Sequence, residues 1–534
     1  MNIDTIDLGI IIVYLIGIVT IGILVGRRHV ASGSEYFLAG RSLGWPVIGL
    51  ALFATNISTV HLVGLAADGY RVGLVIGNFE WMATFCLILL GLIFAPFYFR
   101  NRVSTLPEYL EKRFGSGSRT FLAFMSVVGA LFIHIGMSLY AGATIFEQFF
   151  GINVYASIII VSSLTALYTI LGGLKAVVVT ESIQTVILLL GGLAVTVFAL
   201  LALPEQGINT YAQLKTAAGP IRLSMIHASG GLAWYAVLLG YPVLGIWYWC
   251  ADQTIVQRVL GAKSERDAQF GPLFAGFIKI LPVFFMVFPG VLAFVLFADH
   301  IGDNPNQALP VLINQLVPVG LKGLVTAGLL AALMSTIAGA LNSVSTLVSI
   351  DIVRRLQPEI SDKTLVNIGR VTACAVMILA MIWSTQGGKF ESIFTGINAM
   401  IACLAPPITT VFLWGVFWPR GTARASLATL VLGFLLGALT FTFDFPLIGN
   451  ERIVTDRWGI PFLMQAWWLF CICSALFIAV SLTGPKPARE KIDGLCWRNP
   501  LVALRHGKMQ GIRDPRVVAA GLIIIMVTLY AIFQ

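Results

Sequence analysis

Apolar stretches of membrane-spanning length recur along the whole chain, and they leave it few folds to choose from. They lie at about 6–26, 43–66, 73–99, 119–150, 155–172, 177–203 and 231–251, then 270–298, 319–350, 367–385, 391–417, 422–443, 461–483 and 516–533. A bilayer core takes some 20 apolar residues to cross as a helix, and each backbone N–H and C=O inside it needs a partner other than water. The spacing therefore predicts an all-α polytopic membrane protein of about 14 transmembrane helices. The balance of the 534 residues agrees: 58% are hydrophobic and 11% charged, where a soluble protein carries about a quarter charged. The net charge of +9 is no nucleic-acid signal, because membrane proteins collect Lys and Arg in loops. Seven cysteines scatter mainly through apolar segments with neither metal-ligand nor disulfide spacing. The acidic lead Met1-Asn-Ile-Asp-Thr-Ile-Asp7 lacks the basic region of a cleavable signal peptide.

Basic residues set the orientation. With the N-terminus outside and loops alternating, 26 of the 34 Lys and Arg residues fall on the inner side, eight of them in the run from Lys486 to Arg516. Seven fall outside, and Lys279 lies within a span. An excess of Lys and Arg in cytoplasmic loops is what orients such proteins, so both termini are expected outside.

Inside the second apolar stretch sits a polar break, Ala54-Thr-Asn-Ile-Ser-Thr-Val-His61. An unwound turn at membrane depth survives only where protein buries it or a wet cavity meets it. A second interruption, with Gly240-Tyr-Pro242 and Gly245, is expected in 231–251, five spans later. Paired breaks in corresponding positions of two halves point to an inverted-repeat transporter with a midplane site.

Several residues then become candidates. Freed carbonyls at the break, with the adjacent hydroxyls Ser335 and Thr336 and with Ala332 one turn earlier, suit a sodium ion. Taken singly, Ser and Thr in spans more often satisfy their own or a neighbouring helix. Glu80 and Lys279 are charges within spans, functional by default; they form either a structural pair or a donor and acceptor for a polyhydroxylated ligand. Glu181 and Asp252, near helix ends, read as solvated or structural. His134 reads as a core or interhelical histidine, and His61, just past the break, as lining a cavity. Trp247-Tyr248-Trp249 and Phe79 offer the aromatic faces a sugar ring needs in a pocket with few polar groups.

These motifs, in order, resemble the sodium/solute symporter family, specifically its sodium/glucose cotransporter branch, over nearly the whole length. The resemblance rests on Glu35-Tyr-Phe-Leu-Ala-Gly-Arg41, Ala54-Thr-Asn-Ile-Ser58, Phe79-Glu-Trp81, Pro107-Glu-Tyr-Leu-Glu-Lys-Arg-Phe114, and Gly172-Gly-Leu-Lys-Ala176 with Thr180-Glu-Ser-Ile-Gln184. Further on it rests on Trp247-Tyr-Trp-Cys-Ala-Asp-Gln253, Ile255-Val-Gln-Arg258, Leu341-Asn-Ser343 and Pro406-Pro-Ile408. It implies a LeuT-like fold of two inverted five-helix repeats, about 43–203 and 231–417, with flanking helices in 1–42 and 418–534 of a single transporter domain. The family's sodium site falls on the carbonyls of Ala54, Ile57 and Ala332 and the hydroxyls of Ser335 and Thr336. The sugar site falls on Asn56, His61, Glu80, Lys279 and Asn398, with Tyr248 as an inner gate and Trp249 and Phe79 nearby.

Three departures from the family stand out. Asn398 replaces a usual Gln, Gly245 replaces Thr or Asn, and Ala338, Gly339 and Glu181 occupy the positions of a second sodium cage. One sodium per solute is therefore expected. The combined expectation is a plasma-membrane symporter importing a sugar or polyol with sodium by alternating access. It would be no enzyme and have no nucleic-acid or obligate protein partner. The alternatives are another solute (inositol, a monocarboxylate, a sialic acid) or a non-transporting sensor of the same fold, although the tail after residue 483 holds only a basic loop and one helix. Six scattered histidines argue against a membrane enzyme.

Overall fold

Apolar periodicity predicts helices, and the computed structural model contains little else. It describes residues 4–28, 32–386, 393–444, 452–497, 502, 504, 509 and 511–534. The start of the expected span 391–417, Lys389, and Arg498, Arg505 and Lys508 of the basic run lie outside the described residues. Among those described, the β pairing consists of two isolated bridges, Leu43 with Ala262 and His227 with Ala233.

The first helix, α1, is Thr5–Arg28; α2 (Trp45–Asn56) and α3 (Thr59–Val72) form a bent pair. Next come α4 (Leu74–Arg100) and α5 (Ser116–Thr144), then α6 (Val154–Ala202), α7 (Trp234–Ile246) and α8 (Gln253–Leu260). These are followed by α9 (Glu265–Ile301), α10 (Leu321–Thr346), α11 (Asp362–Ser384) and α12 (Ile393–Phe417). The last three are α13 (Ala423–Asp444), α14 (Phe462–Thr483) and α15 (Pro515–Ile532).

Among the described residues 11 helices are long and apolar enough to cross a membrane, or 12 if the bent pair is one span. This differs from the expected fourteen for identifiable reasons. The stretches 155–172 and 177–203 join into one helix, α6, kinked at Gly173. The stretch 231–251 becomes α7 plus a π-helical turn, Trp247–Ala251, and its aromatic residues lower its hydropathy. The second break also moves. Gly240, Pro242 and Gly245 lie inside continuous helix, and the chain unwinds instead at Asp252 (φ −87°, ψ 123°). Pro242 lies inside α7, in its third turn, whereas Asp252 uses its own carboxylate to accept from Thr254 N at 2.9 Å, capping α8.

Packing follows the polar content. The window of α10 is 94% buried, that of the terminal helices α1 and α15 only 17%, so the helix carrying Ser335 and Thr336 is central and the terminal helices form the rim. Helix α10 packs on α6 and α1, α9 on α2, and α12, α13 and α14 on one another. Many basic loop residues meet at one end: Arg41 bonds Arg102 O, Arg100 pairs with Glu265, and Arg119 with Asp351. At the other end Met225 N donates to Phe533 O, and Asp7 accepts from Gly320 N and Gly323 N. The described chain ends thus share the end opposite the basic one.

Gly173 sits at φ 61°, ψ −164°, a region essentially reserved for glycine. The kink frees Ile170 O, which accepts from Tyr36 OH at 3.0 Å, and a Cβ at 173 would lie 2.6 Å from Tyr36 O. Gly173→Ala is expected to cost about 1–3 kcal/mol, read as a lower midpoint of thermal unfolding in detergent. Gly17→Ala, whose Cβ would meet nothing within 4 Å, should leave the midpoint unchanged or slightly raised.

Candidate functional site

At the first break α2 ends at Asn56, Ile57 and Ser58 are extended, and α3 leaves at 63°. Ser58 N donates to His61 Nδ1 at 3.3 Å, so the imidazole turns back to satisfy an amide at the new helix start. The carbonyls released by the bend turn to α10. Ser335 Oγ donates to Ala54 O at 2.8 Å, and Thr336 Oγ1 lies 3.1 Å from Thr55 O and 3.4 Å from Ile57 O. Both hydroxyls also contact Ala332 O, at 3.0 and 3.2 Å. All five residues expected to hold sodium therefore meet in one buried cluster of neutral oxygens, with Thr55 O beside them. Such oxygens suit a hard cation, and without a carboxylate in the set a monovalent one. Among the described residues no group of three or more His, Cys, Asp or Glu is placed to hold a metal.

Beside the cluster is a cavity of about 100 Å³, room for a small molecule rather than a single water. Asn56, His61, Phe79, Glu80, Tyr248, Trp249 and Asn398 line it, as does Thr336 of the oxygen cluster. Tyr248 and Trp249 meet edge to face at 5.2 Å, and Phe79 stacks on Phe462 at 6.0 Å. Gly245 lines the wall as well. Lys279 departs from its expected role. It is 1% exposed and stands behind the wall, its ammonium ion-paired with Glu80 and bonded to Asn56 Oδ1 at 2.6 Å. The pairing reading is the one realised, and Lys279 acts on the cavity by holding Asn56 and Glu80. It sits where α9 unwinds before Pro282, and Trp81 Nε1 takes the exposed Ile280 O at 3.2 Å.

The sequence reading gave His134 as a core or interhelical histidine, and it is interhelical, with Nε2 2.8 Å from Asp252 Oδ2. It also lines the cavity, together with Ser138 and Tyr241, residues the sequence reading did not assign to the site. A polar pair at i and i+4 on an otherwise apolar helix, His134 and Ser138, was the available signal. Glu181 is not solvated: it is fully buried and receives Arg258 Nη2 at 2.5 Å and Thr55 Oγ1 at 2.8 Å. The guanidinium packs against Gly339, where a Cβ would also stand 2.8 Å from Thr55 Cγ2. Two of the three positions expected for a second cage, Glu181 and Gly339, thus border a protein cation.

A helix broken at mid-depth, an oxygen cluster on a central helix and a polar, aromatic cavity beside it define a coupled membrane transporter. The chain matches the family model described as "Sodium:solute symporter family" over residues 36–433, and it belongs to that family: it is a multi-pass transporter, not an enzyme. It is 35% identical to the sodium/myo-inositol cotransporter 2 of Sus scrofa, over 92% of this chain and 78% of the relative. It is 33% identical to the sodium/glucose cotransporter 1 of Ovis aries, over 95% and 82%. Among solved structures, a substrate-bound, outward-open Na+-coupled sialic acid symporter matches with TM-score 0.77 at 20% identity, over 90% of this chain and 98% of that one. The fold is the LeuT-like fold of sodium symporters.

Lys279→Met alone leaves Glu80 as an unpaired buried carboxylate, expected to cost about 3–5 kcal/mol. In the double variant Glu80→Gln/Lys279→Met at least half of that loss should return. Denaturation of the three purified proteins measures both; equal losses in single and double variants would refute the pairing.

Proposed function

We propose that this protein imports a sugar or polyol across the plasma membrane together with one sodium ion, by alternating access. The observation that supports the reading is that one short break borders both the oxygen cluster and the cavity. Ala54 and Ile57 turn their carbonyls to Ser335 and Thr336, while Asn56 and His61, within the same few residues, line the cavity. Sodium would be held by Ala54, Ile57, Ala332, Ser335 and Thr336. The hydroxyls can donate to their own helix at Ala332 O and offer lone pairs to the ion. An ion there orders the turn that presents Asn56, so sodium raises solute affinity and, by linkage, solute raises sodium affinity equally.

Chemistry favours a neutral, polyhydroxylated solute. Glu80 is neutralised by Lys279, and no Lys or Arg is among the described lining residues, which disfavours a carboxylate. Asn56, His61, Glu80 and Asn398 would exchange hydrogen bonds with hydroxyls, and Phe79, Tyr248 and Trp249 would cover the ring's C–H faces. Relatives named for glucose and for myo-inositol fit the same chemistry. The one-ion stoichiometry rests on Arg258, whose guanidinium fills the space beside Glu181 and Gly339. The repeats would be 43–203 and 231–417, with the breaks at Ile57–Ser58 and Asp252 as their counterparts. Basic residues would mark the cytoplasmic end, placing both termini outside. Each 100 mV then adds about 2.3 kcal/mol per sodium to its concentration gradient.

Uptake into proteoliposomes of hexoses, pentoses and inositols, with sodium titrated, tests the proposal. Thr336→Ala is expected to raise the half-saturating sodium about tenfold, the loss of about 1.4 kcal/mol. Saturating solute should lower that sodium concentration in the parent protein. Uptake independent of sodium, or titrations in which neither ligand shifts the other, would overturn it.

A further inference from the structure

Two turns beyond the oxygen cluster, toward the basic end, α10 carries a second set of polar side chains. Asn342 and Ser343 are 2% and 0% exposed, and neither Asn342 amide atom nor Ser343 Oγ has a hydrogen-bond partner among the described residues. Across from them on α8, Gln257 Oε1 and Gln253 Nε2 are likewise buried and unpartnered. The other halves of these amides are engaged. Gln257 Nε2 donates to Thr346 Oγ1 at 2.6 Å, and Gln253 Oε1 accepts from Leu106 N at 2.9 Å. At 3.6 residues per turn, Ser335, Asn342 and Thr346 share one face of α10, and seven residues of helix span about 10 Å. The seam therefore continues the face that carries the oxygen cluster, with Gly339 and the Arg258 guanidinium packed on it between the two.

A buried polar atom without a partner carries a desolvation cost that nothing in this arrangement recovers. Several together, at the contact of two helices, mark a contact built to be wetted in another arrangement. The seam is closed at the basic end by the helix Leu106–Arg113: its first amide, Leu106 N, donates to Gln253 Oε1 at 2.9 Å, Thr105 Oγ1 before it donates to Asp351 Oδ1 at 2.8 Å, and its buried Arg113 donates to Gly415 O, Trp418 O and Gly421 O. Displacing that short helix would open the seam to the basic end. Asn342 Oδ1, Ser343 Oγ and Gln257 Oε1 are neutral oxygens, the same donor chemistry as the cluster behind them.

We propose that this seam is the closed half of the sodium release path, and that Asn342, Ser343 and Gln257 form a transient oxygen station for the ion when the basic end opens. The inference rests on the sodium reading of the Ala54–Thr336 cluster and adds to it a route and a second stop. It uses residues to which that reading gives no role.

The test uses the full chain in proteoliposomes. Asn342→Leu keeps the branching and the number of heavy atoms of the side chain and removes the unpartnered polar atoms. It is expected to leave equilibrium sodium binding within twofold of the parent and to slow sodium-coupled uptake at least tenfold. Ser343→Cys, probed with the small cationic thiol reagent methanethiosulfonate-ethylammonium and read as the mass of the labelled peptide, is expected to react at least tenfold faster in potassium than in sodium. Parent-like turnover of Asn342→Leu overturns the proposal, as does a Ser343→Cys thiol that reacts in neither cation. Loss of sodium binding in Asn342→Leu also overturns it, because the station is not the resting site. If Thr336→Ala keeps full sodium dependence, the cluster reading fails instead, and the two failures are distinct.

Discussion

Everything at the centre of this molecule depends on backbone carbonyls that have lost their helical partners. Bending α2 from α3 by 63° exposes polar groups at membrane depth, where each needs a substitute bond. Ser335 and Thr336 supply it. Those hydroxyls sit on the most buried of the described membrane-length helices, so the substitute bonds are rigidly placed. Their dependence is mutual: α10 can bury its hydroxyls because the break offers acceptors, and the break persists because α10 offers donors. A cation that replaces the hydroxyl protons as partner of these carbonyls acts on both helices at once.

Charge in the interior is handled by pairing. Lys279 with Glu80, Arg258 with Glu181, and His134 with Asp252 each join different helices. A buried pair is weak evidence for stability, since the desolvation of both charges offsets much of their attraction. Breaking one is costly, however, and so these pairs specify which helices stay together. Lys279 and Glu80 tie α9 to α4 behind the cavity and orient Asn56. Arg258 and Glu181 tie α8 to α6 beside the oxygen cluster. Asp252 holds His134 with one oxygen and caps α8 with the other, so the second break is linked to the cavity wall.

Membership of the sodium:solute symporter family puts these features in a functional order. In the proposed reading the broken helices, which cost backbone hydrogen bonds, are where the ligands would bind, and the long helices α6 and α10 serve as the frame. Polar atoms left unpartnered at the α8–α10 seam belong to the same logic. A transporter needs two arrangements of similar energy, and an interior fully satisfied in one of them would resist leaving it.

Legibility in the sequence divides along a physical line. Features fixed by solvation were readable: the all-helical membrane class from apolar length, the first break from a polar run that lipid does not tolerate, and the oxygen cluster from adjacent hydroxyls matched to that break. The cavity's Asn56, His61, Phe79, Glu80, Tyr248, Trp249 and Asn398 were readable through family resemblance. Features fixed by contacts between distant helices were not. Pro242 and its neighbouring glycines looked like a break, yet packing keeps that helix intact and the chain unwinds at Asp252, where a carboxylate caps the next helix. Lys279 looked like a ligand to the solute, yet Glu80 and Asn56 hold it behind the wall. His134 read as a core or interhelical histidine and is interhelical, and packing also brings it to the cavity, with Asp252 holding its ring. One-dimensional sequence carries the cost of placing each residue in lipid, and that determined the class and the break. Which buried charge meets which, and so which residues face the cavity, was decided only when the helices packed.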